Sequence, residues 1–279
     1  MPHIIKAVKD SPARALSVCG ITTRYLSFEE DVRVCSKAGM NGISLWWDKI
    51  KAYGAVRGAK VLRDAPLAPV SVVGLPCMLT AGEQQNRQVF DLLRGALDDC
   101  ATLGVGVMGV VPGNHEGRTR EQMDEATVDV LVRLGEEARQ RGVTLALEPV
   151  HEPYLDYLNT LFDAERIVTA VNSASVGILF DVWHLCHEPE LDRRIEATAS
   201  RIALVHFSDW REPTRYHDDR LLPGEGVLPL KSILTKLHQS GYRGYFDVEV
   251  FSEEVWRADP LQNLKKCRAF FDSVWAGQA

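Results

Sequence analysis

RGVTLALEPV, residues 141–150, is an apolar, β-branched run that ends on a carboxylate, Glu148, where a loop should begin. A glutamate facing a buried interior is costly unless something pairs with it, and a bound metal ion is one such partner. Three later segments have the same form. VGILFDVWH ends on Asp181 and His184, RIALVHFSDW on His206 and Asp209, and GYFDVEVF on Glu249. Four apolar strands that each finish on a metal-competent side chain read as neighbours in one barrel, converging on one site.

Outward from that stretch the chain alternates strand and helix signals eight times. Residues 15–20, 42–47, 68–75 and 105–113 read as strands before it. Ser27 and Glu30 form a capping box that opens the first helix. A less periodic helical stretch runs to about Ala65, and Val89, Leu92, Leu93, Ala96, Leu97 and Cys100 make a helical stripe that ends before Gly104. Met123, Ala126, Val130, Leu131 and Leu134 make another that stops at Gly142. The second half repeats the plan, with strands at 143–150, 176–182, 201–208 and 244–251. Helices follow at 160–171, 189–199 and 230–238, and the last carries Leu261, Leu264, Cys267, Phe270, Phe271 and Val274. Short connections between alternating elements mean parallel strands and right-handed crossovers. Eight such units close into a single (β/α)8 TIM barrel of one domain, residues 1–279, with its site at the C-terminal rim of the strands. An open doubly wound sheet is the other arrangement that the alternation allows.

The composition narrows the partners. A net charge of −6 argues against nucleic acid or a membrane surface held by a basic field, and suits small neutral or metal-chelated substrates. Six cysteines without a CxxC pair suggest reduced thiols. The N-terminal MPHIIKAVKD lacks the apolar core of a secretion signal, and no apolar run is long enough to span a bilayer, so the expected compartment is the cytoplasm.

Strand parity decides which side chains face inward. Leu204 shares a face with His206, Leu179 with Asp181, and Asp247 with Glu249, one layer deeper. Taken singly, a strand-end Asp or His is more often a loop cap than a ligand; four together reverse those odds. Two glutamates, an aspartate and a histidine make a mostly oxygen-donor set that suits Mn²⁺, Mg²⁺ or Co²⁺ and tolerates Zn²⁺.

The order LALEPVHE, FDVWH, VHFSDW with a PGEG loop, and DVEVF resembles the xylose-isomerase-like sugar isomerase and epimerase family of TIM barrels. Relatives of that family include ketose 3-epimerases, hydroxypyruvate isomerase, inosose dehydratase and, more distantly, endonuclease IV. The resemblance spans nearly the whole chain and is sharpest over residues 144–251. It implies one divalent ion, Mn²⁺ first among the candidates, on Glu148, Asp181, His206 and Glu249. It implies that Glu148 and Glu249 also move protons on either face of the substrate, and that His184 binds a substrate oxygen. Glu225, in the Gly224–Glu225–Gly226 turn, matches a loop that lies by the pocket in relatives. The family's substrate-binding arginine has no match in spacing; Arg211 and Arg215 are the two candidates, and Arg215 is carried forward. Homo-oligomers are common among such relatives.

Chemistry gives these residue types a reason. A divalent ion chelating a carbonyl and its neighbouring hydroxyl stabilises the enediolate formed when the adjacent carbon loses its proton. Two carboxylates then support epimerisation, one base supports isomerisation, and loss of a hydroxyl gives dehydration. Trp46 or Trp47 would wall the pocket while the other packs into the core. Trp183, Trp210 and His151 adjoin the ligand candidates, and His151 either binds substrate or caps its loop. Asn114 and His115 end the fourth strand in what is also an ordinary turn, while Cys19 and Cys77 read as inert buried thiols. The expected function is a metal-dependent sugar isomerase or epimerase acting on a small carbohydrate. A lyase or dehydratase on a keto-sugar, keto-glycoside or inosose is the alternative. An endonuclease would need a fuller ligand cluster and a basic face, and a non-catalytic sugar binder would not need both glutamates.

Overall fold

The computed structural model of the protein describes residues 14–215 and 219–277. The N-terminal stretch read above for a secretion signal lies outside the described residues. Eight parallel strands close into a barrel, which excludes the open sheet. The strands are β1 (Ala15–Cys19), β2 (Gly42–Trp46), β3 (Ala68–Val73), β4 (Val107–Val110), β5 (Thr144–Leu147), β6 (Val176–Asp181), β7 (Ile202–Phe207) and β8 (Tyr245–Val248). Each strand pairs with its sequence neighbours, and β8 returns to β1.

The main crossover helices are α1 (Phe28–Lys37), α2 (Ala55–Arg63), α3 (Glu83–Leu103), α4 (Arg120–Gln140), α5 (Leu161–Val171), α6 (Leu191–Thr198), α7 (Leu230–Gln239) and α8 (Pro260–Trp275). Local sequence sets their ends. Ser27 and Glu30 form the expected reciprocal cap on α1, and Thr119 with Gln122 forms a second one on α4. The helical stretch after β2 is two helices, because Gly54 sits at φ 94°, a left-handed conformation that breaks Trp47–Tyr53 from α2.

Alternation along each strand sorts the side chains into two cores. Phe180, Val205, Phe207 and Phe246 point outward and pack under the helices, whereas Ala146, Leu179, Leu204 and Tyr245 fill the barrel. Burying a large apolar side chain stabilises the fold by about 1.5–3 kcal/mol, and both layers are built from such residues. The inward parity expected for Leu179, Leu204, Asp181, His206 and Asp247 is observed: the first two lie in the barrel core, and Asp181 and Asp247 both pair in register with His206.

Several short elements escaped the sequence reading, among them the helix Val182–Leu185 that carries His184. Asp209–Trp210 and Arg220–Leu221 pair antiparallel beyond β7, so the long loop folds back as a ribbon over the barrel mouth. A short helix, Glu253–Arg257, follows the loop after β8. No helix among the described residues is long and apolar enough to cross a membrane.

Candidate metal centre and active site

The site sits on four strands that are consecutive in the barrel, β5 to β8. Asp181 is the last residue of β6 and His206 lies within β7. Glu148 and Glu249 fall just past their strands, yet the ladder continues under them: Glu148 N–H donates to Val110 O at 3.0 Å and Glu249 N–H to Phe207 O at 3.2 Å. Those bonds hold both glutamates on the rim rather than in mobile loops. One ligand atom from each of Glu148, Asp181, His206 and Glu249 lies within 4.8 Å of all the others.

Electrostatics makes such a cluster expensive without cations. Burial and the neighbouring charges of Glu249 and Asp181 push the Glu148 carboxyl up to about 8. Burial also works against the Asp181 and Glu249 carboxylates, but Arg220 with the two histidines outweighs it at Asp181, and His206 with Arg220 does so at Glu249; both stay below the usual carboxylate range. His206 lies between Glu249 Oε2 and Asp247 Oδ2, 3.3 Å from each, and these acids raise its affinity for a proton against the effect of burial. Three converging carboxylates and one imidazole, with oxygen donors in the majority, suit a divalent ion. Nδ1 of His206, which faces Glu249, is buried with no aligned hydrogen-bond partner, which also suits an imidazole meant for a metal.

Above the cluster lies a cavity of about 260 Å³. Glu148 and Glu249 open into it together with His184, Arg220, Trp46 and Trp183. Asp181 and His206 are fully buried and do not line it. The two glutamates therefore reach a small molecule, while the aspartate and histidine reach only the floor. Trp46 forms one wall, edge-on to Phe251, and Gly74 permits this: at φ 79°, a Cβ there would fall 2.6 Å from the indole. Trp47 instead starts the next helix and packs into the outer core.

Arg220 is the site residue that sequence reasoning missed. The ribbon delivers its guanidinium into the cavity, where Nη1 lies 2.9 Å from Asp181 Oδ2 and 3.2 Å from Glu249 Oε2. The guanidinium also lies 4.6 Å from the Trp183 ring centre, and the residue is 4% exposed. Its signal was an arginine beside the apolar Leu221–Leu222 pair just before a Pro-Gly turn, which marks a basic residue on a buried segment. Arg215 and Arg211 are placed elsewhere. Both pair with Asp219 and Glu254, and Arg215 lines a neighbouring cleft with Trp210. Glu225 is likewise outside the cavity, where Lys266 Nζ lies 2.8 Å from its carboxylate. Its turn is clamped by Asp209, which accepts from Gly224 N–H and Leu228 N–H; Asp209 is a loop anchor.

His184 and His151 touch through their Nδ1 atoms at 2.8 Å. Because Arg220 Nη2, always a donor, lies 3.2 Å from His184 Nε2, His184 must accept there and carry its proton on Nδ1, which it gives to His151. His151 thus stands behind His184 and faces the cleft of Trp210. Burial depresses His184 to about 3, so it is a neutral imidazole. Cys19 Sγ lies 3.6 Å from Glu249 Oε1 and is fully buried, a weak donor to one carboxylate oxygen while the other faces the cluster. Burial and the adjacent acids raise its thiol well above the ordinary value, consistent with an unreactive group.

Residues 32–273 match the family described as xylose isomerase-like TIM barrel, and the chain belongs to that family. Inosose isomerase of Bacillus velezensis is 26% identical over 263 residues, spanning 91% of this chain and 94% of that protein. Fructoselysine 3-epimerase of Escherichia coli O157:H7 is 24% identical over 254 residues, spanning 81% and 86%. The crystal structure of the IolI protein with a zinc atom superimposes with a TM-score of 0.85 at 23% identity, covering 93% of this chain and 97% of that one. The similar curated proteins are enzymes.

Proposed function

We propose that the protein is a divalent-metal-dependent isomerase or epimerase of a small keto-sugar or cyclitol, with Glu148 and Glu249 as its acid and base. The observation that carries this reading is the division within the cluster: two glutamates, from the outer strands of the arc, share the cavity, and the other two ligands do not. Glu148, Asp181, His206 and Glu249 would hold the ion, with Mn²⁺ the first candidate and Mg²⁺, Co²⁺ or Zn²⁺ as alternatives. When bound, the ion draws electron density from a substrate carbonyl and acidifies the neighbouring C–H.

The remaining work falls to side chains. One glutamate removes the proton from that carbon and the other returns one, to the opposite face in epimerisation. Arg220 donates to substrate hydroxyls, the neutral His184 accepts from one through Nε2, and His151 accepts the Nδ1–H of His184 and holds its ring. Trp46 and Trp183 present flat apolar faces to sugar C–H bonds and exclude water. The names of the relatives, inosose isomerase and 3-epimerases, support a polyol substrate of this size. Elimination of a hydroxyl is the second reading, supported by relatives named inosose dehydratase. The six thiols are all free, which supports a reducing, cytoplasmic setting.

The test is incubation of metal-loaded protein with ketoses, inososes and 3-keto-glycosides in deuterated water, read by NMR. Deuterium at the carbon beside the carbonyl, with an isomer or epimer as product, supports the proposal. An unsaturated product supports elimination, and no exchange with any member counts against both.

A further inference from the structure

Asp247 lies on β8 two residues before Glu249, on the same inward face, and is fully buried. Its register partner on β7 is His206 and on β1 is Ser17. Among the described residues its ion pair is to His206, with Oδ2 3.3 Å from Nε2, and neither of its oxygens has an aligned hydrogen-bond donor. The other ring nitrogen of His206, Nδ1, faces Glu249 Oε2. The imidazole therefore lies between two acids with different surroundings: Glu249 opens to the cavity, whereas Asp247 is sealed beneath it among barrel residues.

A carboxylate in a sealed layer is a poor choice for packing. An apolar side chain of similar volume avoids its desolvation, and a lone buried charge is destabilising. Asp247 makes sense if His206 must be held in one tautomer. An imidazole that binds a metal through one nitrogen carries its proton on the other, and an acceptor at that proton fixes both the tautomer and the ring plane. We propose that Asp247 is a positioning residue of the metal centre: it accepts the Nε2–H of His206 and so presents the unprotonated Nδ1 to the ion. This rests on the reading that the cluster binds a divalent metal, and adds to it a fourth acidic group that never touches metal or substrate.

The experiment uses the full chain as wild type, Asp247→Leu and Asp247→Asn. Zn²⁺ and Mn²⁺ affinities are measured by competition with a chromophoric chelator, and the ring nitrogens of ¹⁵N-histidine-labelled, Zn²⁺-loaded protein are read by NMR. In wild type the His206 signals should show Nε2 protonated and Nδ1 bound. Asp247→Leu should lose about 10- to 100-fold in affinity, and Asp247→Asn less, because its amide oxygen still accepts from Nε2–H. Wild-type affinity and an unchanged His206 spectrum in a folded Asp247→Leu would overturn the inference while leaving the metal centre intact. Metal on Nε2 in the wild type overturns it even if the leucine variant does not fold. Failure of the wild type to bind either ion overturns both the inference and the reading beneath it.

Discussion

Nη1 of Arg220 lies 2.9 Å from Oδ2 of Asp181, inside the cluster of acids at the barrel mouth. The two residues come from different scaffolds, a barrel strand and a folded loop, so the loop is locked to the site by a buried ion pair. Removing one partner of such a pair strands the other charge and costs about 3–5 kcal/mol. Arg220→Ala should therefore lower the melting temperature of chelator-treated protein. Added Mn²⁺ or Zn²⁺ should recover more stability in the variant than in wild type, because the ion replaces the lost positive charge. Equal metal-induced shifts in thermal melts of the two proteins would mean that Arg220 and the ion do not share those carboxylates.

Metal binding should release protons near neutral pH. The Glu148 carboxyl, pushed up to about 8 by burial and by Glu249 and Asp181, is mostly protonated at pH 7, and an ion that uses it must displace that proton. Affinity should rise with pH through about 8 and level off above it. Calorimetric titration of Mn²⁺ in buffers of different ionisation enthalpy counts the protons, and Glu148→Gln should release fewer. An affinity that is flat from pH 6 to pH 9 would contradict this.

His184 sets a second pH dependence. Its folded value of about 3 lies below the unfolded value of 6.5, so between them the unfolded chain binds the extra proton. The contribution of this group to stability is full above pH 6.5 and is lost as pH falls towards 3, with a slope of at most about 1.4 kcal/mol per pH unit. Denaturant unfolding of chelator-treated protein between pH 7 and pH 5 should show this slope, and His184→Gln should flatten it. An equally steep slope in the variant would assign the acid sensitivity to other groups.

The convergence of the candidate cluster was legible in the sequence because it depends on two local properties, strand parity and the position where an apolar run ends. Parity placed Asp181, His206 and Glu249 on inward faces, and the end of an apolar run marked Glu148. The closed barrel was legible from eightfold alternation. Arg220 was not, since its place depends on how the loop after β7 folds onto itself, and spacing from His206 says nothing of a ribbon. Arg215 and Glu225 were carried forward from the family resemblance, but opposite charges at Asp219, Glu254 and Lys266 draw them to other contacts. The break at Gly54 was hidden for a different reason: a single left-handed residue leaves the helical composition on both sides intact.

Substrate binding should separate from chemistry. His184→Ala removes a neutral hydrogen-bonding group in the cavity and should raise KM more than it lowers kcat, whereas loss of either glutamate should act mainly on kcat. His151→Ala should resemble a mild His184 change, because it removes the acceptor of the His184 Nδ1–H without reaching the cavity. Steady-state kinetics on the substrate found in the panel decides this, and a kcat defect in His151→Ala as large as in Glu249→Gln would make His151 a proton donor or acceptor in its own right.

The most direct measurement is exchange of the substrate C–H with deuterated solvent by Glu249→Gln and Glu148→Gln, each shown by elemental analysis to hold metal. Glutamine keeps the shape and one neutral oxygen donor but cannot accept a proton. The expected result, for a given substrate isomer, is exchange slower by roughly 10²–10⁴-fold in the variant that lacks the glutamate facing its C–H, the usual loss of general acid–base help. Exchange at the wild-type rate in both metal-loaded variants would contradict the two-glutamate mechanism.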